Sequence, residues 1–282
     1  MFIFENNPKI GNPEMTIYSQ NTSPEIIQIE DNIYSGYLNR TVKLTLIYPK
    51  KNNLLQLVIF NDGQDFESLK IKQWIASLSD ENKISPILCV GIHANEERLQ
   101  EYGTASQADY KNRGNKAHQH SNFVLKELLP YLENTFLVSP ENKVMAGFSL
   151  GGLSAMDIAW NSPKVFTKVG VFSGALWWRQ KSEEDGYTDE NDRIIHNIVR
   201  KGNYHQNQQF WFEAGTNDET SDRNHNGIID AIDDTLDLMK ELEKHGYQKN
   251  KDIVYRQVEG GEHNQQTWSK VMPEFLTWAI GV

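Results

Sequence analysis

A serine flanked by glycines, Gly147-Phe-Ser149-Leu-Gly151 with Gly152 beyond it, is the pattern with the most chemistry in this 282-residue chain. Such a serine presents its hydroxyl only where a strand runs in and a helix runs out, because the turn is strained and tolerates only tiny neighbours. The apolar run 143–146 and the helical pattern 150–160 supply that context, the alternative being a tight turn around an unreactive serine. An activated serine needs an imidazole to take its proton and a carboxylate to fix the imidazole tautomer, here in the chain order Ser, Asp/Glu, His. Of eight histidines, His263 alone follows the last strand pattern, in Val258-Glu-Gly-Gly-Glu-His263. His118 and His120 read as a polar loop ahead of a helix, His196 and His245 as parts of solvated helices, and His225 as one of a group of Asp and Asn residues. Asp218 is the candidate carboxylate, with Glu219 second and a solvated turn as the bland reading. The intervals of 69 and 45 residues along this order each leave room for a βα unit. Two N–H donors must also face the oxyanion of an acyl transfer. Leu150 directly follows the serine, and the loop Phe60-Asn-Asp-Gly63-Gln64-Asp65 offers Gln64 or, second, Gly63, unless it is a plain Asp-Gly turn.

These residues need a scaffold that brings distant loops together. Strand patterns occupy 41–48, 57–60, 87–92, 143–146, 168–172, 209–213 and 253–258, most of them too apolar for an edge. Helical spacing links Phe123, Leu125, Leu128, Leu129, Leu132 and Phe136, then Ile228, Ile229, Ile232, Leu236, Met239 and Leu242, and a last helix covers 268–280. The alternation predicts an α/β fold, a mostly parallel central sheet with helices on both faces and its chemistry at the carboxyl ends of the strands. Residues 1–23 read as an N-terminal extension and 24–282 as a single domain.

Asp and Glu number 38 against 28 Lys and Arg, a net charge of −10 that argues against nucleic-acid and anionic-membrane partners. A small-molecule partner fits better, and homo-oligomerisation is left open. Cys89 is the only cysteine, which excludes an internal disulfide and a cysteine zinc site. The first residues lack the basic and apolar regions of a signal peptide, and no run approaches the roughly 20 apolar residues of a membrane span. The expectation is a soluble, cytoplasmic protein.

Taken jointly, Asn61-Asp-Gly-Gln64, Arg98-Leu-Gln-Glu-Tyr102, Gly147-Phe-Ser-Leu-Gly-Gly152, Ser173-Gly-Ala-Leu-Trp-Trp178, Gly215-Thr-Asn-Asp218 and Gly261-Glu-His263 resemble the putative esterase (esterase D-like) family. The resemblance runs from about Tyr34 to the C-terminus. It implies an α/β-hydrolase fold and a serine carboxylesterase working through an acyl-enzyme, with Ser149 as nucleophile, His263 as base, Asp218 as acid and no cofactor for catalysis. A siderophore (catecholate trilactone) or feruloyl-type esterase is the narrower alternative. An acyltransferase and a non-catalytic calcium-dependent binding protein on a hydrolase scaffold are the others. In the siderophore branch an arginine placed as Arg98 points at the substrate, whereas a pairing of Arg98 with Glu101 would only brace the loop. Trp177 and Trp178 could line an apolar pocket, or one of them could pack beneath it.

One further motif stands apart. Asp222, Asn224, Asn226, the Ile228 carbonyl, Asp230 and Asp233, with Gly227 at the sharp turn, follow the spacing of an EF-hand-type loop. Six oxygen ligands at that spacing suit a structural Ca²⁺, and Asp233 stands where a Glu is usual. An Asx-rich turn capping the following helix is the competing reading.

Overall fold

The computed structural model describes residues 25–51 and 53–282. The extension expected over 1–23 lies outside the described residues. The elements in chain order are β1 (Ile26–Ser35), β2 (Arg40–Pro49), β3 (Gln56–Asn61), α1 (Ile71–Asp80), β4 (Ile87–Ile92), α2 (Arg98–Glu101), α3 (Ala117–Phe123), α4 (Leu129–Thr135) and β5 (Lys143–Phe148). They continue with α5 (Leu150–Asn161), β6 (Phe166–Phe172), α6 (Asp189–Asp192), α7 (Ile194–Lys201), β7 (Gln209–Asn217), α8 (Asp230–Lys244), β8 (Ile253–Glu262) and α9 (Gln265–Ile280).

The eight strands form one sheet in the order β1-β2-β4-β3-β5-β6-β7-β8. β2 is antiparallel to both its neighbours, and every pairing from β4 to β8 is parallel. This is the expected α/β-hydrolase arrangement. β4 and β5 are buried at every position, as a strand covered on both faces must be. One apolar layer sets Ile71 and Ile75 of α1 and Met272 and Phe275 of α9 against Phe60, Ala146 and Phe172. The other sets Leu132, Leu153, Ile195 and Leu238, from α4, α5, α7 and α8, against Ile59, Met145 and Val171. Cys89 lies fully buried in β4, and burial pushes its thiol well above the ordinary range. Among the described residues no helix is long and apolar enough to cross a membrane.

Several bounds differ from the sequence reading for identifiable reasons. β1 is an edge strand whose Gln28, Ile29 and Glu30 are exposed, so burial imposes no apolar pattern on it. Ile228 and Ile229 precede α8, and Ile228 is 38 % exposed. Phe136 is extended, beyond the end of α4. The turn between α3 and α4 widens to π geometry over Val124–Leu128, just before Pro130, which has no N–H for a helical bond.

Candidate functional site

At Ser149 the chain turns from β5 straight into α5. The serine backbone sits at φ 54° and ψ −122°, a strained conformation that persists only where its surroundings enforce it. Its N–H donates to the Phe172 carbonyl at 2.8 Å, and its carbonyl accepts from Gly152 and Ala175, both at 3.0 Å. The flanking glycines are required by proximity. A Cβ on Gly147 would stand 2.3 Å from the Gly151 carbonyl oxygen, and one on Gly151 would stand 2.5 Å from Asp62 Oδ2.

The other two expected residues come from the ends of β7 and β8. A Cβ on Gly215 would meet the Gly261 carbonyl oxygen at 2.4 Å, so the two loops approach as backbone on backbone. Asp218 is fully buried at its side chain, and its Oδ2 lies 4.0 Å from His263 Nδ1. That is too long for a hydrogen bond, as contacts between catalytic groups often are in ligand-free sites. Burial lowers the His263 pKa below 6.5, with Asp218 pulling it up and Arg98 adding to the depression. Burial raises the Asp218 pKa, opposed by Ser173, His263 and the Gly215 backbone. Ser149, Asp218 and His263 line one open cleft of about 270 Å³ together with Ser173, Trp177 and Glu219. Glu219, the second choice for the acid, is held by the backbone of Ala231.

The candidate oxyanion loop is built as firmly. Asp62 takes a left-handed conformation at φ 64°, and its N–H donates to the Tyr102 hydroxyl at 3.2 Å. The Asn61 side chain donates to the Gly151 carbonyl at 2.9 Å and meets His120 Nε2 at 3.0 Å. A Cβ on Gly63 would fall 2.3 Å from the Gly91 carbonyl carbon, which explains a glycine there. The Gln64 side chain bridges Asp62 Oδ1 and the Ala94 N–H, each at 3.0 Å. Among the described residues, the amides of Leu150, Gln64 and Gly63 meet no carbonyl outside their own helical turns.

Four expectations need correction. Arg98 does not pair with Glu101: its Nε and Nη2 hold Asp62 at 2.7 and 2.8 Å, while Glu101 takes Arg40. Arg98 therefore braces the candidate oxyanion loop, with its side chain 30 % exposed. Trp178 is buried against Gly103 and Gly114 under the Arg113 guanidinium, so only Trp177 reaches the cleft. His120 lies within α3 and not in a loop, and it is fully buried, so its pKa falls to about 3 and it stays neutral. His196 on α7 is likewise buried, not solvated, against the Asp234 carbonyl at 2.9 Å. The distance in sequence between these residues and their partners hid these contacts. Two residues at the site carried no role in the sequence reading, Glu213 and Ser173, both buried beside Asp218. A charged residue closing the apolar run 209–213 was the available signal.

In the loop from Asp222 to Asp233, Asp222 accepts from the Asn226 and Gly227 amides at 3.1 and 2.9 Å. The side chains of Asn224 and Asn226 both converge on Asp233 Oδ2, at 2.8 and 2.6 Å. Asp230 turns instead to Arg223, accepting from its N–H at 3.0 Å. Among the described residues, no group of three or more His, Cys, Asp or Glu is assembled for a metal ion.

Comparison with known proteins adds the following. The profile of the family described as "Putative esterase" matches residues 35–279. The "Uncharacterized protein YbbA" of Bacillus subtilis (strain 168) is 25 % identical over 155 residues, which are 53 % of this chain and 61 % of that protein. A solved ferulic acid esterase superposes with a TM-score of 0.67 at 15 % identity, covering 92 % of this chain and 98 % of its own. The enterobactin esterase FES from Shigella flexneri, solved in the presence of enterobactin, gives 0.71 at 20 % identity over 91 % and 59 %. The BES protein from Bacillus cereus gives 0.67 at 17 % over 99 % and 100 %. The chain thus spans about three fifths of YbbA and of FES.

Proposed function

The chain belongs to the putative esterase family, and from that premise we propose that it is a serine carboxylesterase. The observation that carries this reading is a serine on a strained strand-to-helix turn sharing one cleft with His263 and a fully buried Asp218. In the proposed cycle His263 takes the Ser149 proton as the hydroxyl attacks the ester carbonyl, and Asp218 stabilises the resulting imidazolium. The amides of Leu150 and Gln64, or of Gly63, receive the oxyanion. His263 then protonates the leaving alcohol and activates water against the acyl-enzyme. The chain's own residues suffice for every step.

Hydrolysis of p-nitrophenyl acetate by the wild type and by Ser149→Ala tests this, followed by a panel of feruloyl, acetyl-sugar and catecholate-lactone esters. Turnover lost in the variant supports the esterase; equal background rates for both proteins overturn it and favour a binding role for the scaffold. An aryl or catecholate ester is the narrower reading, favoured by Trp177 at the cleft and by the partly exposed Arg98 beside it. A cytoplasmic location belongs to the same reading, supported by the single buried thiol.

The acid limb of the pH profile follows from His263. Only the neutral imidazole can accept the serine proton, and burial lowers its pKa. The midpoint of kcat/KM on the acid side is therefore expected below pH 6.5, and a midpoint above that value contradicts the assignment.

We also infer a structural Ca²⁺ in the loop from Asp222 to Asp233. The gathering of Asn224 and Asn226 around Asp233 supports it, the two amides turning their oxygens to the ion in place of the Nδ2 hydrogens they give Asp233, with Asp222 and the Ile228 carbonyl as further ligands and Asp230 the poorest fit. The ion would tie the loop after Asp218 to the start of α8. At a hundredfold excess over Kd the stabilisation is about 2.7 kcal/mol, on the order of 5 °C in melting temperature. Melting in Ca²⁺ against EGTA, for wild type and Asp222→Ala, measures it. Identical curves for the wild type in the two solutions would sink the inference.

A further inference from the structure

Behind Asp218 lies a second carboxyl group that the proposed cycle does not use. Glu213, within β7, is fully buried, and its Oε1 has no hydrogen-bond partner among the described residues. Its Oε2 lies 3.3 Å from Ser173 Oγ, and the Ser173 N–H donates to the Glu213 carbonyl at 2.8 Å. Ser173 Oγ also accepts from Trp268 Nε1 at 2.8 Å. The same hydroxyl stands beside Asp218 and favours its charged form, although neither Asp218 oxygen holds a hydrogen bond in this rotamer.

The proton count around Ser173 is decisive. An indole N–H only donates and a carboxylate only accepts, so with both acids ionised one hydroxyl proton must serve two buried anions. One added proton resolves this. On Glu213 it is donated to Ser173 Oγ, and the Ser173 proton is then free for Asp218. The proton belongs on Glu213 because His263 favours the charged form of Asp218, whereas among the described residues no cation bonds to Glu213, and Arg256, its register partner on β8, is taken by Glu274. The titratable groups facing Glu213 are Asp218 beyond the end of its own strand and Tyr255 on β8, whose phenol burial keeps protonated. From α9 comes the uncharged Trp268, whose ring meets His263 edge-on at 5.3 Å.

We propose that Glu213 is a positioning residue: it holds the shared proton, donates it to Ser173 and thereby turns the Ser173 hydroxyl onto Asp218, keeping that carboxylate charged and aimed at His263. The proposal rests on the esterase reading. Burial and the neighbouring Asp218 charge raise the Glu213 pKa to about 8, consistent with a proton retained at neutral pH.

The test compares wild type, Glu213→Gln, Glu213→Ala and Ser173→Ala, following p-nitrophenyl acetate hydrolysis and thermal melting across pH. Glu213→Ala and Ser173→Ala are expected to lose between about tenfold and a hundredfold in kcat, with KM little changed. Glu213→Gln, which keeps a donor in place, is expected to recover most of that loss and to abolish the alkaline fall expected of wild type near pH 8. Melting supplies a readout independent of turnover. The folded state binds the Glu213 proton more tightly than the unfolded chain, so this group's contribution to wild-type stability declines as pH rises from 4.5 to about 8. The melting temperature of Glu213→Gln relative to wild type should climb over that range. A glutamine variant as impaired as the alanine one, an unchanged alkaline limb, or a flat melting difference would each overturn the proposal. If wild type hydrolyses no ester, the esterase reading falls, and the melting comparison still decides where the proton sits.

Discussion

Replacing Ser149 or His263 by alanine is expected to lower kcat for ester hydrolysis by about 10⁶, and removing both to lower it hardly further. The lack of additivity follows from the roles proposed for the two residues. The hydroxyl is a poor nucleophile until the imidazole takes its proton, and the imidazole has nothing to activate once the hydroxyl is gone. Asp218→Asn should cost less, about 10⁴, because it spoils the tautomer and the imidazolium while leaving both reacting groups in place. A residual acceleration should survive in each variant, from the amides of Leu150 and Gln64, which the strained turn and the braced loop hold whatever stands at position 149. Burst and steady-state kinetics on p-nitrophenyl acetate measure these losses. Independent, multiplying losses would mean that Ser149 and His263 do not act as a unit.

The largest stability effect is expected at Asp234→Ala. Asp234 on α8 is 1 % exposed at its side chain and holds Arg193 Nη1 at 2.6 Å through Oδ1 and the Arg223 guanidinium through both oxygens. Burial pushes its carboxyl up against the pull of both arginines, while each guanidinium is held more firmly protonated than usual. Deleting the carboxylate strands two cations whose side chains are 4 % and 9 % exposed. Such a loss costs about 3–5 kcal/mol, because the desolvation of the survivors is no longer offset. For a chain of this size that is roughly 10 °C in melting temperature. Asp189 retains contacts to both arginines, Asp237 one to Arg193 and Asp230 one to Arg223, which places the effect nearer the lower figure. Urea unfolding measures it, and a loss under about 1 kcal/mol would show that the network relaxes onto those neighbours.

What could be read from the sequence and what could not divide along a physical line. The strands β3 to β7 announced themselves because their faces are covered, so most of their side chains are apolar; β8, the second edge strand, is only partly covered and showed only in its first residues. The Ser149 turn was legible because close backbone approach demands glycine, and Asp218 and His263 because connectivity fixes their order. β1 stayed hidden because an edge strand in water obeys no such constraint. The partner of Arg98 could not be deduced from neighbours three residues away, since Asp62 lies 36 residues back and meets it only through the fold. His120, His196 and Glu213 look on paper like surface residues. Each is tolerated inside because one backbone or side-chain oxygen meets it there.

Among the described residues β1 is an edge of the sheet, which bears on how copies of this chain meet. Two-fold antiparallel pairing of β1 with a second β1 about its middle would set Glu30 against Asp31 of the second copy and Asp31 against its Glu30, and facing like charges weaken a strand pair. Lys43 of β2 is already committed to Glu30 within the same molecule. The acidic middle of β1 thus works as a fence against an identical sheet continuing this one.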